Sequence, residues 1–231
     1  NMAGCDARWA LNALELAVDS MPIGTSTKSV TSESIAKVLQ TRVRKYDKGG
    51  DRHYDTISAF IKSIRGSDPD SSIYWLARML DAGEDPIFIA RRLVISASED
   101  IGLADPRALG IAIAAQQAVH LIGLPEGRIP LSEATIYLAS APKSNSAYKA
   151  IDAALSEVTN SGDSEIPLHL RNAITDLMAN EEYGKGYEYS HNYEGHFKRS
   201  ENLPEGLSVN HFYDPGKLGY EKYIADRLSG W

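Results

Sequence analysis

The chain has 231 residues, 43% hydrophobic and 24% charged, with a formal net charge of −7. That composition belongs to a folding globular protein, and its negative balance excludes a surface that traps nucleic acid electrostatically all over. A single cysteine, Cys5, excludes an intrachain disulfide framework. No Cys-x-x-Cys spacing serves zinc, no apolar run has the length of a bilayer crossing, and no charged-then-apolar leader follows Asn1, so a soluble, intracellular chain is expected.

Periodicity predicts helix after helix and almost no strand. From Asp6 to about Val18, the residues Ala7, Leu11, Leu14 and Ala17 or Val18 share one face, with Asp6 placed to complement the helix dipole. Thr31-Ser32-Glu33-Ser34 opens a second, short helix through Leu39. A modest basic segment follows, in which Arg42, Arg44, Lys45, Lys48 and Arg52 oppose only Asp47 and Asp51; it reads as a solvated helix end and linker, or as a phosphate-binding segment.

After Lys48-Gly49-Gly50, helices are expected from near Asp51, Ser71 and Pro86. In the first of these, Ile57, Phe60, Ile61 and Ile64 share a face, and Gly66 stands where a left-handed cap belongs. Gly83, Gly102 and Gly123 occupy similar places past helix ends. In Asp85-Pro86 and Asp105-Pro106, a side-chain oxygen can cap a helix whose first position is proline.

Leu109 to Ile122 is apolar around almost its whole circumference, which predicts central burial. Helices over roughly Leu131 to Ala139 and Ser144 to Val158 come next, then a shorter one after Leu170. The short connections suggest antiparallel neighbours in a bundle or collar. From Tyr183 onward periodicity is lost, and seven of the chain's 12 tyrosines appear there among glycine and histidine. This predicts an extended tail that lays rings on the bundle, with a last helix near Glu221 to Leu228.

The motifs for phosphoryl transfer are missing from these residues. No Gly-x-x-x-x-Gly-Lys-[Ser/Thr] occurs, and no strand ends in paired acids for magnesium. Arg91 and Arg92 lie on a helix whose other face is core, where they suit either ion pairs with Asp81, Glu84 or Glu99, or a subunit contact. Lys143, Ser144 and Asn145 begin a helix, as an ordinary cap or a phosphate cradle. His169, Arg171 and Asn172 suit hydrogen bonds that tie the tail to the bundle, or a ligand site. His191 and His196, with Glu188 and Glu194, fit no standard metal spacing, so no metal is expected. The tail's cations are outnumbered by its acids, which favours packing over base stacking for its tyrosines.

Taken in order, several stretches carry a resemblance: Asp6-Ala7-Arg8 with Leu11 to Glu15, His53 to Pro69, Tyr74 to Leu80, Gly83 to Pro86, Ile89 to Leu93, Ala97 to Pro106, Ala141 to Asn145 and Leu168 to Ala173. The chain resembles the C-terminal two thirds of the replication-associated recombination protein A family, also called MgsA, whose eukaryotic relative is the Werner helicase-interacting protein. The resemblance implies an all-α fold: a small helical AAA+ lid over residues 1–45, a clamp-loader-collar-like helical oligomerisation domain over 46–182, and an irregular tyrosine-rich tail over 183–231. It implies a nucleotide-binding domain, absent from this sequence, that holds ATP and magnesium, so that this portion is not an enzyme by itself. Arg8 takes the place of the family's sensor-2 arginine, although Cys5 and Trp9 depart from the usual surroundings. Expected partners are copies of the chain in a homotetramer, DNA, and single-stranded DNA-binding protein. The expected setting is replication-fork maintenance, recombination and repair in a bacterial cytoplasm near the nucleoid, or in a nucleus if the source is eukaryotic. The competing expectation is a docking module that binds single-stranded DNA or replication proteins through Arg42, Arg44, Lys45 and Lys48, with no assembly role.

Overall fold

A computed structural model describes residues 51–231 except 208, 210 and 231, together with residues 11, 14, 15, 17, 18 and 30–32. Among the described residues every regular element is helical. The longer ones are α1 (Asp51–Arg65), α2 (Pro69–Asp81), α3 (Pro86–Ser96), α4 (Ala108–Ile122), α5 (Arg128–Ser140), α6 (Ser146–Ser161), α7 (Asp176–Asn180) and α8 (Glu221–Ser229). Of the two helices expected before Asp51, the described residues 11, 14, 15, 17, 18 and 32 are helical, Thr31 is described and not helical, and the rest lie outside the described residues. The chain divides into two compact units, residues 1–93 with 114–140 and residues 94–113 with 141–231.

In the first unit, α1 packs on α2 and α5, and α2 packs on α5. Ile57, Phe60 and Ile64 of α1 are buried, as their spacing requires, together with Leu76 and Met79 of α2 and Leu131, Ala134 and Leu138 of α5. Asp68 caps α2: its Oδ1 accepts from the Ser71 amide at 2.9 Å and its Oδ2 from the Ser71 hydroxyl at 2.6 Å. Pro69 fills the first turn, where no donor is missed.

The α1 cap differs from expectation. The left-handed residue is Ser67, with φ of 59°, and not Gly66. The helix runs through Arg65, which pushes the cap one position on. The Ser67 and Asp68 amides then bond back to the Ile64 and Ser63 carbonyls at 3.1 and 3.0 Å, closing a Schellman motif around a serine.

The burial of α4 is narrower than its composition predicts. Ala108, Ala112, Ala115 and Val119 are buried, while Leu109, Ile113, Leu121 and Ile122 are exposed. Small residues line the buried stripe, and the larger apolar side chains point away from it.

In the second unit, a π-helical turn (Ala97–Ile101) and a 3-10 turn (Gly102–Ala104) pack against α6. The tail is punctuated by 3-10 turns at Ser190–Asn192 and Glu194–His196 and ends in α8. Gly219 has φ of 56°, and a Cβ there would lie 2.0 Å from the Ala104 carbonyl oxygen and 2.8 Å from Pro142. Only glycine lets the backbone pass, and the next amide, Tyr220, donates to that Ala104 carbonyl at 2.8 Å.

Candidate functional site

The second unit draws together two stretches far apart in sequence, Ala97 to Pro106 and Ala141 to Asn145, with the end of the tail. The Ser144 amide donates to the Asp100 carbonyl at 2.8 Å, and Gly102 passes close to the Ser144 carbonyl. Asp100 is buried and accepts from the Ser96 hydroxyl at 2.8 Å. Lys143 donates to the Ala141 carbonyl at 2.7 Å. Burial pulls the Lys143 pKa below its ordinary value, and the negative charge of Asp100 opposes that shift.

At the start of α6 the sequence suggested an ordinary cap or a phosphate cradle. Ser144 Oγ accepts from the Ser146 amide at 3.2 Å, and Ser146 Oγ donates in turn to Glu221 Oε1. Glu221 is 0% exposed. Its Oε1 also accepts from the Tyr213 hydroxyl at 3.1 Å, and its Oε2 from the Gly216 amide at 3.0 Å. Burial, then the bond to Glu221, raises the Tyr213 pKa. This carboxylate was not singled out in the sequence because the Ser146 side chain that meets it lies 75 residues away. The local signals were Gly216 and Gly219 just ahead of an acidic helix start.

The other expected site residues divide as follows. Arg171 donates to the Ile166 carbonyl at 2.7 Å and the Tyr183 hydroxyl at 3.3 Å, pairs with Glu165, and stacks 5.3 Å from the Tyr183 ring centre. Its pKa is raised, first by the Tyr183 bond. His169 faces Asn202 at 3.4 Å, and Asn172 is exposed. Arg91 lies 5.8 Å over the Phe88 ring, and Arg92 is half-buried, its Nε buried with no hydrogen-bond partner among the described residues. Arg8, Arg42, Arg44, Lys45 and Lys48 lie outside the described residues. Among the described residues no cluster of three His, Cys, Asp or Glu side chains could hold a metal ion, and no helix is long and apolar enough to cross a membrane.

Helix α6 is turned opposite to the usual sense. It buries Ser146 and Glu157 and half-buries Ala150 and Ala154, while Tyr148, Ile151, Leu155 and Val158 are 48% to 65% exposed. Those four recur at three, four and three residues, the spacing of a helix-pairing seam. The first unit also shows an open apolar groove of about 710 Å³ between α2 and α5. Both features suit protein contacts better than chemistry.

The profile of the family described as MgsA AAA+ ATPase C terminal matches residues 66–231. The chain belongs to the MgsA family. A second profile, described as AAA C-terminal domain, matches residues 1–65. Among relatives of this MgsA family chain, Replication-associated recombination protein A of Coxiella burnetii (strain RSA 493 / Nine Mile phase I) is 46% identical over 224 residues, covering 96% of this chain and 51% of that protein. The protein of the same name from Escherichia coli (strain K12) is 42% identical over 226 residues, covering 97% and 51%. ATPase WRNIP1 of Dictyostelium discoideum is 38% identical over 244 residues, covering 99% and 27%. The chain thus spans about half the length of the bacterial relatives it matches.

Proposed function

We propose that this chain is the lid and homotetramerisation region of a DNA-dependent AAA+ ATPase that acts in replication-fork maintenance, recombination and DNA repair. The match to replication-associated recombination proteins over nearly the whole chain carries this reading. The outward apolar seam of α6 supports self-assembly, since four large side chains at helix-pairing spacing gain by leaving water. Residues 1–45 serve as the lid, 46–182 as the assembly domain and 183–231 as a tail fastened to it.

ATP and magnesium belong, in this reading, to a phosphate-binding domain whose motifs this sequence does not carry. No step of hydrolysis is placed on the described residues. Arg8 is the contribution to that chemistry: a guanidinium at a lid helix start stabilises negative charge on phosphate oxygens and moves with the lid. DNA and single-stranded DNA-binding protein are the partners of the whole assembly.

Multi-angle light scattering of the chain is expected to give a tetramer, and a strict monomer at micromolar concentration would overturn the assembly role. The alternative, a docking module for single-stranded DNA, predicts salt-dependent binding of an oligonucleotide that charge reversal at Arg42, Arg44 and Lys45 abolishes.

A further inference from the structure

The α2/α5 groove has two walls built to the same plan. Helix α5 turns Leu131, Ala134, Thr135 and Leu138 into the core, and α2 does the same with Ser72, Leu76 and Met79. Each helix then carries a second stripe at helical spacing on its outer side. On α5 the stripe is Ile129, Ser132 and Ile136; on α2 it is Ile73, Ala77 and Leu80. Ile129 and Ile136 are 61% and 46% exposed. A helix apolar on two faces is designed to be covered on both.

The charges on α5 say what covers it. Arg128 and Glu133 line the groove, exposed, on opposite flanks of the Ile129–Ser132–Ile136 stripe and five residues apart. Neither forms an ion pair among the described residues, Arg128 donating only to the Pro125 carbonyl at 3.1 Å. In heptad terms Ile129 and Ile136 are a positions, Ser132 is d, Arg128 is g and Glu133 is the e position five residues on. That is the spacing at which a g side chain of one helix meets the e side chain of a parallel, two-fold-related copy, and β-branched residues at a favour two strands. In an antiparallel pair g positions face g positions and e positions face e positions, so Arg128 of one copy would not meet Glu133 of the other.

We propose that the α2/α5 groove is a self-association surface in which two copies of this chain pair α5 side by side, in parallel, about a two-fold axis. Ile129 and Ile136 meet their own counterparts, small Ser132 lets the helices approach, and Arg128 pairs with Glu133 of the second copy twice over, once on each side. The proposal rests on the assembly reading above and assigns one of the contacts that a tetramer needs.

Sedimentation equilibrium of the full chain tests it. Arg128→Glu and Glu133→Arg, made singly, are each expected to raise the dissociation constant about tenfold, and the double exchange R128E/E133R to restore it to within about threefold of wild type. Restoration is the signature of reciprocal pairing, because a merely structural role for either residue gives additive losses. In a Cys5→Ser background, Ser132→Cys is expected to give an oxidised covalent dimer, since the parallel two-fold arrangement brings Ser132 opposite itself. If wild type self-associates but the single exchanges leave its constant unchanged, or S132C fails to cross-link, this surface assignment is wrong and the assembly reading survives. If wild type is monomeric throughout, the assembly reading falls and takes the surface with it.

Discussion

Replacing Glu221 by glutamine is the sharpest test of how the tail is fastened. The carboxylate accepts three bonds, from the Ser146 and Tyr213 hydroxyls on one oxygen and from the Gly216 amide on the other. A carboxamide of the same shape has one accepting oxygen. If it keeps the two hydroxyls, its NH2 group faces the Gly216 N–H, and two donors oppose each other. A bond to a charged acceptor contributes about 1.5–3 kcal/mol, so the change costs roughly 2–3 kcal/mol, most of it in the tail. By the rule of tenfold for each 1.4 kcal/mol, local opening becomes about 30- to 150-fold more frequent. Amide hydrogen exchange reads this directly at Gly216 and at Tyr220, whose N–H is bonded to the Ala104 carbonyl. Both amides are expected to exchange one and a half to two orders of magnitude faster in E221Q, while those of α1, α2 and α5 keep wild-type protection. Exchange at Gly216 and Tyr220 within threefold of wild type would refute Glu221 as the latch.

Ser67→Gly should raise stability by about 1 kcal/mol, because a left-handed serine is strained where glycine is not; thermal melting should shift up by a few degrees. Tyr213 has a raised pKa in the fold, so its contribution is complete below its unfolded pKa and is lost as pH climbs through the folded value. Alkaline unfolding followed by circular dichroism should therefore lose part of its steepness in Tyr213→Phe. The Asp68 pKa is lowered by its bonds to Ser71, so its cap is complete above its unfolded pKa and fails as pH falls through the folded one. Asp68→Asn, which can still cap, should flatten the acid limb of the stability profile without removing α2.

How much the sequence disclosed depends on where each helix finds its cover. Ile57, Phe60 and Ile64 of α1 pack against partners in the same unit, so counting residues in the sequence led straight to the core. The Asp85 cap was equally legible, since its oxygen reaches an amide two residues on. The cap of α1 was misplaced by one residue because glycine preference is a prior, while the Schellman bonds that select Ser67 depend on where the helix stops. Glu221 was invisible for a different reason. Tyr213 and Gly216 lie within eight residues of it, but Ser146 is 75 residues away, and the nearby glycines announce a turn and not that distant meeting.

Helix α6 shows the limit most clearly. Its periodicity marks Tyr148, Ile151, Leu155 and Val158 as one stripe, and an ordinary inference would place that stripe inside. The structure instead spends α6's small and polar residues on its own unit, where Ala150, Ala154 and Ser146 allow close approach to the turns at Ala97–Ala104. Large side chains there would hold the helix off and break the Ser146–Glu221 bond. The small face fixes the helix within its unit, and the large face is left exposed, open to the assembly contact proposed above. Periodicity reports that a face exists but carries no label for which cover it awaits. A similar division recurs on α2 and α5, each of which carries a second apolar stripe besides its core one. There the charges at Arg128 and Glu133 add the missing label, because the residue offset between a cation and an anion depends on the direction of the partner helix, whereas hydrophobic spacing alone does not.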